Sequence, residues 1–196
     1  PVYLAISICL LSAGIFLYFF FEDGDFLYEG KNVHLTFVIL EISLLTSFVV
    51  GKWRSVYARP FALCALLVLM TSDRRKAIFM NCITCLLLFM SDAFVSVDLT
   101  VDKDLYASLV IGFITGIMAI YLLDGTGSRF KVLIYGLPIA LPVIAACMLL
   151  NVDLIPTRWI EFLVDGVASG LLSVIFMTIW LPLFEEVFSV LTNYRL

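Results

Sequence analysis

A single glutamate interrupts the apolar run Val38-Ile39-Leu40-Glu41-Ile42. At mid-bilayer depth a carboxylate costs roughly 2.5 kcal/mol or more on insertion scales, so it must meet protein, water or a partner, or carry a proton. Glu41 therefore reads either as a carboxylate coupled to a proton or cation, or as a hydrogen-bonding group that fixes helix packing. Asn81 and Ser91 are the candidate partners for the second role. Glu161 and Asp165 stand four residues apart near the start of the last apolar segment. Carboxylates are favoured there by the helix dipole, and the sharper reading is a cation or ligand site at the outer mouth of the bundle.

Enzymatic chemistry is poorly provided for. The only histidine, His34, cannot build a His-rich metal site, a Ser-His-Asp triad or a paired general acid and base. We expect no catalytic residue and no metal site in this chain. Glu185-Glu186 invites comparison with the EExxxR motif of membrane glutamate proteases, but Val187-Phe188-Ser189-Val190 supplies no arginine. The five cysteines all lie in apolar surroundings, and an odd number at membrane depth argues against a disulfide framework. Cys82-Ile83-Thr84-Cys85 has CxxC spacing without a βαβ context and reads as packing on one helix face.

The elements that position these residues are apolar helices. The chain is 63% hydrophobic and 14% charged, with a mean hydropathy of +1.10. A soluble domain carries about 25% charged residues, so this chain cannot cover a water-facing surface. A net charge of −4 without a basic run suggests no nucleic-acid partner. The expected fold is all-α, a polytopic transmembrane bundle of about seven helices in the lipid bilayer, since each span needs about 20 apolar residues. Pro1 opens the chain with no basic stretch before the first apolar run. We therefore read residues 1–196 as one transmembrane domain of a longer protein. The segments are 2–21, 34–51, 60–70, 77–91, 105–123, 132–150 and 159–181. The third is short for a span and reads as a short crossing or a re-entrant segment.

Charge placement bears on topology. Lys52, Arg54 and Arg59 in one loop and Arg74, Arg75 and Lys76 in the next would both face the cytoplasm under the positive-inside rule. That arrangement gives six crossings. The spacings Gly112-x-x-x-Gly116 and Gly166-x-x-x-Gly170 let helix backbones approach closely. They suggest packing between the fifth and seventh helices, or a face for a homodimer. Pro138, Pro142 and Pro182 remove backbone donors and should bend their helices. Past Pro182, residues 182–196 read as an amphipathic exit helix, with Phe184, Val187, Phe188 and Leu191 as its apolar stripe and Glu185 and Glu186 beside it.

Three stretches carry a family resemblance. They are Asp165-Gly166-Val167-Ala168-Ser169-Gly170, then Leu181-Pro182-Leu183-Phe184-Glu185-Glu186, and Leu191-Thr192-Asn193-Tyr194-Arg195-Leu196. Together they resemble the end of the membrane domain of the 7TMR-HD family. Pro60 to Met70, followed by Arg75-Lys76-Ala77, resembles that family's short Pro-initiated segment. The resemblance covers essentially the whole chain. It implies a multi-pass protein of the bacterial plasma membrane, with an extracellular domain before Pro1 and a cytoplasmic HD phosphohydrolase after Leu196. In well-known members that enzyme hydrolyses cyclic di-AMP to pApA at a two-metal centre, so manganese or iron is expected in the HD domain and no cofactor in this chain. This chain would be the sensor and transducer between the two, with Pro182, Glu185 and Glu186 passing the signal on. An extracellular start and a cytoplasmic end require an odd number of crossings, and on that ground seven is preferred over six. Two other classes compete: a small transporter or channel that uses Glu41, and a purely structural anchor.

Overall fold

Apolar runs of this length have one way to satisfy their backbone groups out of water, which is to close the hydrogen bonds within helices. The structure, a computed structural model, describes residues 2–22, 30–95, 103–124, 129–151 and 155–188. It contains α1 (Val2–Glu22), α2 (Gly30–Trp53), a 3₁₀ turn (Val56–Ala58), α3 (Leu63–Thr71), α4 (Arg74–Val95), α5 (Lys103–Leu123), α6 (Arg129–Leu150) and α7 (Ile155–Phe188). No strand occurs among the described residues. Among the described residues four stretches are long and apolar enough to cross a membrane: Gly30–Trp53, Arg74–Phe94, Val132–Leu150 and Arg158–Phe188. Residues 23–29 and 189–196, which include Leu191 of the expected apolar stripe, lie outside the described residues.

The short third segment is the centre of the bundle. Every residue from Tyr57 to Met70 is buried, and α3 packs against α2, α4, α5 and α7. Its sequence, Leu63-Cys64-Ala65-Leu66-Leu67-Val68-Leu69-Met70, is apolar around its whole circumference, as a helix surrounded by others must be. Its nine residues give a rod of about 14 Å, less than half of a hydrocarbon core of about 30 Å. The connector 54–62 leads into it from α2. Irregular backbone is tolerated at such depth where protein encloses it. Here its donors are satisfied locally: Ala58 N–H donates to Ser55 O, Phe61 N–H to Arg59 O, and Leu63 N–H to Pro60 O.

Polar contacts fix the direction of each helix. Arg59, at the start of the third segment, meets Asp92 near the end of α4 and Ser108 near the start of α5. Arg74, just past the end of the third segment, meets Asp124 at the end of α5. The third segment thus runs from the end where α4 stops and α5 starts to the end where α5 stops. The two basic groups that charge counting places on one side lie at opposite ends. Arg54 and Arg59 are paired with Asp165 and Asp92 and are not free loop charges.

The glycine pairs pack against different helices from those expected. A Cβ at Gly112 would stand 2.8 Å from Cys85 Sγ, and one at Gly116 would enter the Asn81 amide, both on α4. Gly166 faces Ile144, and Gly170 faces Gly136 and Ala140, all on α6. The expected pairing of α5 with α7 is therefore corrected to α5 on α4 and α7 on α6, because consecutive helices on short connections lie side by side. All four glycines are buried within the chain, which removes them as a dimer face. At the periphery, α1 packs mainly on α4, where Tyr18 stacks on Phe79 at 3.7 Å. Phe16, Phe20 and Phe21 of the same helix are left exposed.

Candidate functional site

The Arg59–Asp92 and Arg54–Asp165 pairs lie together at the end where α2 and α4 stop and α5 and α7 begin. The sequence dictates the connector that organises them. Ser55 is extended (φ −160, ψ 161), and its hydroxyl accepts from Ala58 N–H, opening the 3₁₀ turn. Arg59 closes that turn at φ −58, ψ 139, the extended conformation that a following proline imposes. This leaves the Arg59 carbonyl free of helix bonding, and the Ser169 hydroxyl of α7 donates to it.

The Arg59 side chain runs back beneath α2, where Gly51 leaves room for it. Its guanidinium grips Asp92 in a bidentate pair, Nη1 to Oδ2 at 2.6 Å and Nη2 to Oδ1 at 2.8 Å. Ser108 Oγ accepts from Nη1 at 3.0 Å and donates to Asp92 Oδ2 at 2.6 Å. The pair is mostly out of solvent, with side-chain exposures of 6% for Arg59 and 17% for Asp92. Charge-assisted, forked bonds of this type are among the strong ones. They join the connector to α4 and α5, while Ser169 joins it to α7.

A second pair lies beside the first. Arg54 Nε donates to Asp165 Oδ1 at 2.5 Å, and Ser55 Oγ donates to Asp165 Oδ2 at 2.6 Å. Asp165 is buried, but Arg54 is partly open to solvent. Farther out, Arg158 and Glu161 form an exposed pair at 2.8 Å. Arg158 is also the one residue inside α7 with non-helical dihedrals (φ −127, ψ 15). Asn151 donates to the Tyr57 hydroxyl at 2.8 Å, and the Tyr57 ring meets Phe162 edge to face. Between Arg54, Ser55, Tyr57, Arg158, Glu161 and Asp165 lies a cavity of about 470 Å³.

The residues singled out from the sequence fall in different places. Asp165 is at the heart of the cluster and Glu161 at its rim. Asn81 is fully buried and points at α5, where its amide donates weakly to Gly112 O at 3.4 Å. Glu41 is exposed on α2, distant from the cluster, beside an apolar groove that Ser91 also lines. The helix stays continuous through Pro182 to Phe188. Phe184 is buried, with Trp180 stacked on it and Phe188 edge-on. Val187 is exposed, so the expected stripe splits between core and surface. Glu185 is half-buried and Glu186 exposed. His34 lies on the exposed surface of α2, its ring nitrogen 2.8 Å from Gly30 O.

Arg59, Asp92, Ser108, Arg54 and Ser169 are the members that sequence reasoning missed. One signal was available: an arginine next to the proline that opens a short, wholly apolar segment, with Asp92 closing the following one. Among the described residues no group of three or more His, Cys, Asp or Glu could hold a metal ion. The arrangement can clamp helices together and can respond to a polar ligand or a change of packing. It presents no nucleophile activated by a base.

No curated protein and no solved structure matches the chain. A family model described as "7TM receptor with intracellular HD hydrolase" matches residues 2–192, nearly the whole length. The all-helical architecture of the described residues and the buried, Pro-initiated third segment agree with that assignment. This chain belongs to the family of 7TM receptors with an intracellular HD hydrolase, of which it is the membrane sensor domain.

Proposed function

We propose that the domain regulates a cyclic di-AMP phosphodiesterase of the bacterial plasma membrane, transmitting an outer or intramembrane signal to a cytoplasmic HD phosphohydrolase. The single observation that carries this reading is the family match over residues 2–192. The chain crosses the membrane seven times, with its C-terminal end in the cytoplasm. On this reading the manganese or iron of the hydrolase belongs to the HD domain. This domain's residues perform no chemical step. Their work is mechanical: α7 runs from the Arg54–Asp165 pair at one end to Phe184 and Phe188 at the other. A shift at the charged end reaches the exit segment through one continuous helix. Coupling of this type amounts to about 1–3 kcal/mol, a change in activity of roughly 5- to 150-fold.

The test is direct. The full-length gene product, purified in detergent with Mn²⁺, is expected to convert cyclic di-AMP to pApA. Absence of conversion by folded, metal-loaded protein would remove the cyclic-dinucleotide assignment while leaving the family assignment in place.

A further inference from the structure

Glu41 is exposed on the surface of α2, and among the described residues it makes no hydrogen bond or ion pair. It stands midway along the 24-residue helix Gly30–Trp53, so about 17 Å of helix separates it from either end. That places the carboxyl group near the middle of the hydrocarbon, where a lone charge is expensive and calls for a partner. Beside it lies a groove of about 500 Å³, the size of a site for a drug-sized molecule. Its walls come from Ile8 of α1, Leu45 and Phe48 of α2, and Leu87, Met90 and Phe94 of α4. Ser91 is the only other polar side chain in the lining, and no basic residue reaches it.

We infer that this groove binds a lipophilic amine, with its ammonium on Glu41 and its apolar body against Leu45, Phe48, Leu87 and Met90. Charge complementarity selects this occupant. An ammonium donating to a carboxylate in a low-dielectric setting makes a strong, charge-assisted bond, and the apolar walls reward a hydrocarbon body. A phospholipid tail would fill the same walls but leave the carboxylate without a partner. A second copy of this chain would have to bring one of its own basic side chains to the middle of the hydrocarbon to pair with Glu41, at the cost of burying that charge. The inference concerns binding alone and holds whatever the hydrolase acts on.

The test uses the full-length protein in nanodiscs and two photoreactive probes, a twelve-carbon primary amine and the matching alcohol, each with a diazirine in its chain. The amine probe is expected to label the segments around Ile8, Leu45 and Met90 saturably, and unmodified dodecylamine should suppress the labelling. Glu41→Gln should weaken it roughly 10- to 100-fold, the worth of a hydrogen bond to a charged group. Leu45→Trp, which keeps the carboxylate but fills the groove, should abolish it. The alcohol probe should be indifferent to Glu41. Equal labelling by amine and alcohol would overturn the inference and make the groove a lipid contact. Undiminished labelling of a wild-type-stable Glu41→Gln protein would overturn it too. A crosslink between two copies at this groove that depends on Glu41 would overturn it in favour of self-association.

Discussion

Replacing Asp92 with asparagine should cost more stability than any other single isosteric change in the bundle. The substitution keeps the shape of the side chain but leaves the Arg59 guanidinium, 6% exposed, without a counter-charge. Removing one partner of a buried ion pair costs about 3–5 kcal/mol. Asp92 retains 17% exposure and Ser108 still accepts one bond, so the lower end, about 3 kcal/mol, applies. That is a large fraction of the roughly 5–15 kcal/mol that holds a typical domain together. The double variant Arg59→Met with Asp92→Leu removes both charges and should fall within about 1 kcal/mol of wild type, because apolar replacements of a whole buried pair are often neutral. The assay is reversible unfolding of the full-length protein in nanodiscs, with Arg59→Met, Asp92→Leu and their double variant run as a double-mutant cycle beside Asp92→Asn, and with an expected coupling above about 2 kcal/mol. A loss below about 0.5 kcal/mol for Asp92→Asn, or a double variant as unstable as the two singles summed, would refute the reasoning.

Other outcomes follow from the same geometry. Gly116→Ala drives a methyl group into the fully buried Asn81 and should cost about 1–3 kcal/mol by overpacking, whereas Gly14→Ala meets nothing within 4 Å and should be tolerated; thermal melts of the two compare them. Asp165→Asn weakens bonds to Arg54 and Ser55 and should cost about 2 kcal/mol, while Glu161→Gln removes only an exposed pair and should cost well under ~1 kcal/mol. Equal losses at the two positions would contradict the burial argument. Pro182→Ala restores a backbone donor inside α7 and should leave expression unchanged while altering hydrolase activity about 5-fold or more. Unaltered activity would separate that proline from signalling.

Hydropathy and length alone made the helices legible, because every backbone group in an apolar medium must be bonded internally. The segment limits differ from the observed helices mainly where charged residues extend a helix, as Arg74, Arg75 and Lys76 do at the start of α4. The position of α3 at the centre was less visible. Hydropathy reports how apolar a segment is and is silent on what surrounds it, although the lack of any polar face from Phe61 to Met70 is the signature of a fully enclosed helix. Gly112, Gly116, Gly166 and Gly170 announced close approach without naming the partner helix. The clamp was hidden for a different reason. Arg59 and Asp92 are 33 residues apart in sequence, and an arginine at a segment edge reads as a topological charge until its counter-ion is found.

The central claim is that this domain controls a hydrolase. The most direct measurement is the rate of pApA formation from cyclic di-AMP by the full-length protein with Mn²⁺ in nanodiscs. It would be compared with a version whose residues 1–188 are replaced by an unrelated helical anchor. The account predicts turnover by both and rates that differ by about 5-fold or more. Equal rates would reduce the domain to an anchor, and no turnover by the intact protein would contradict the proposed substrate.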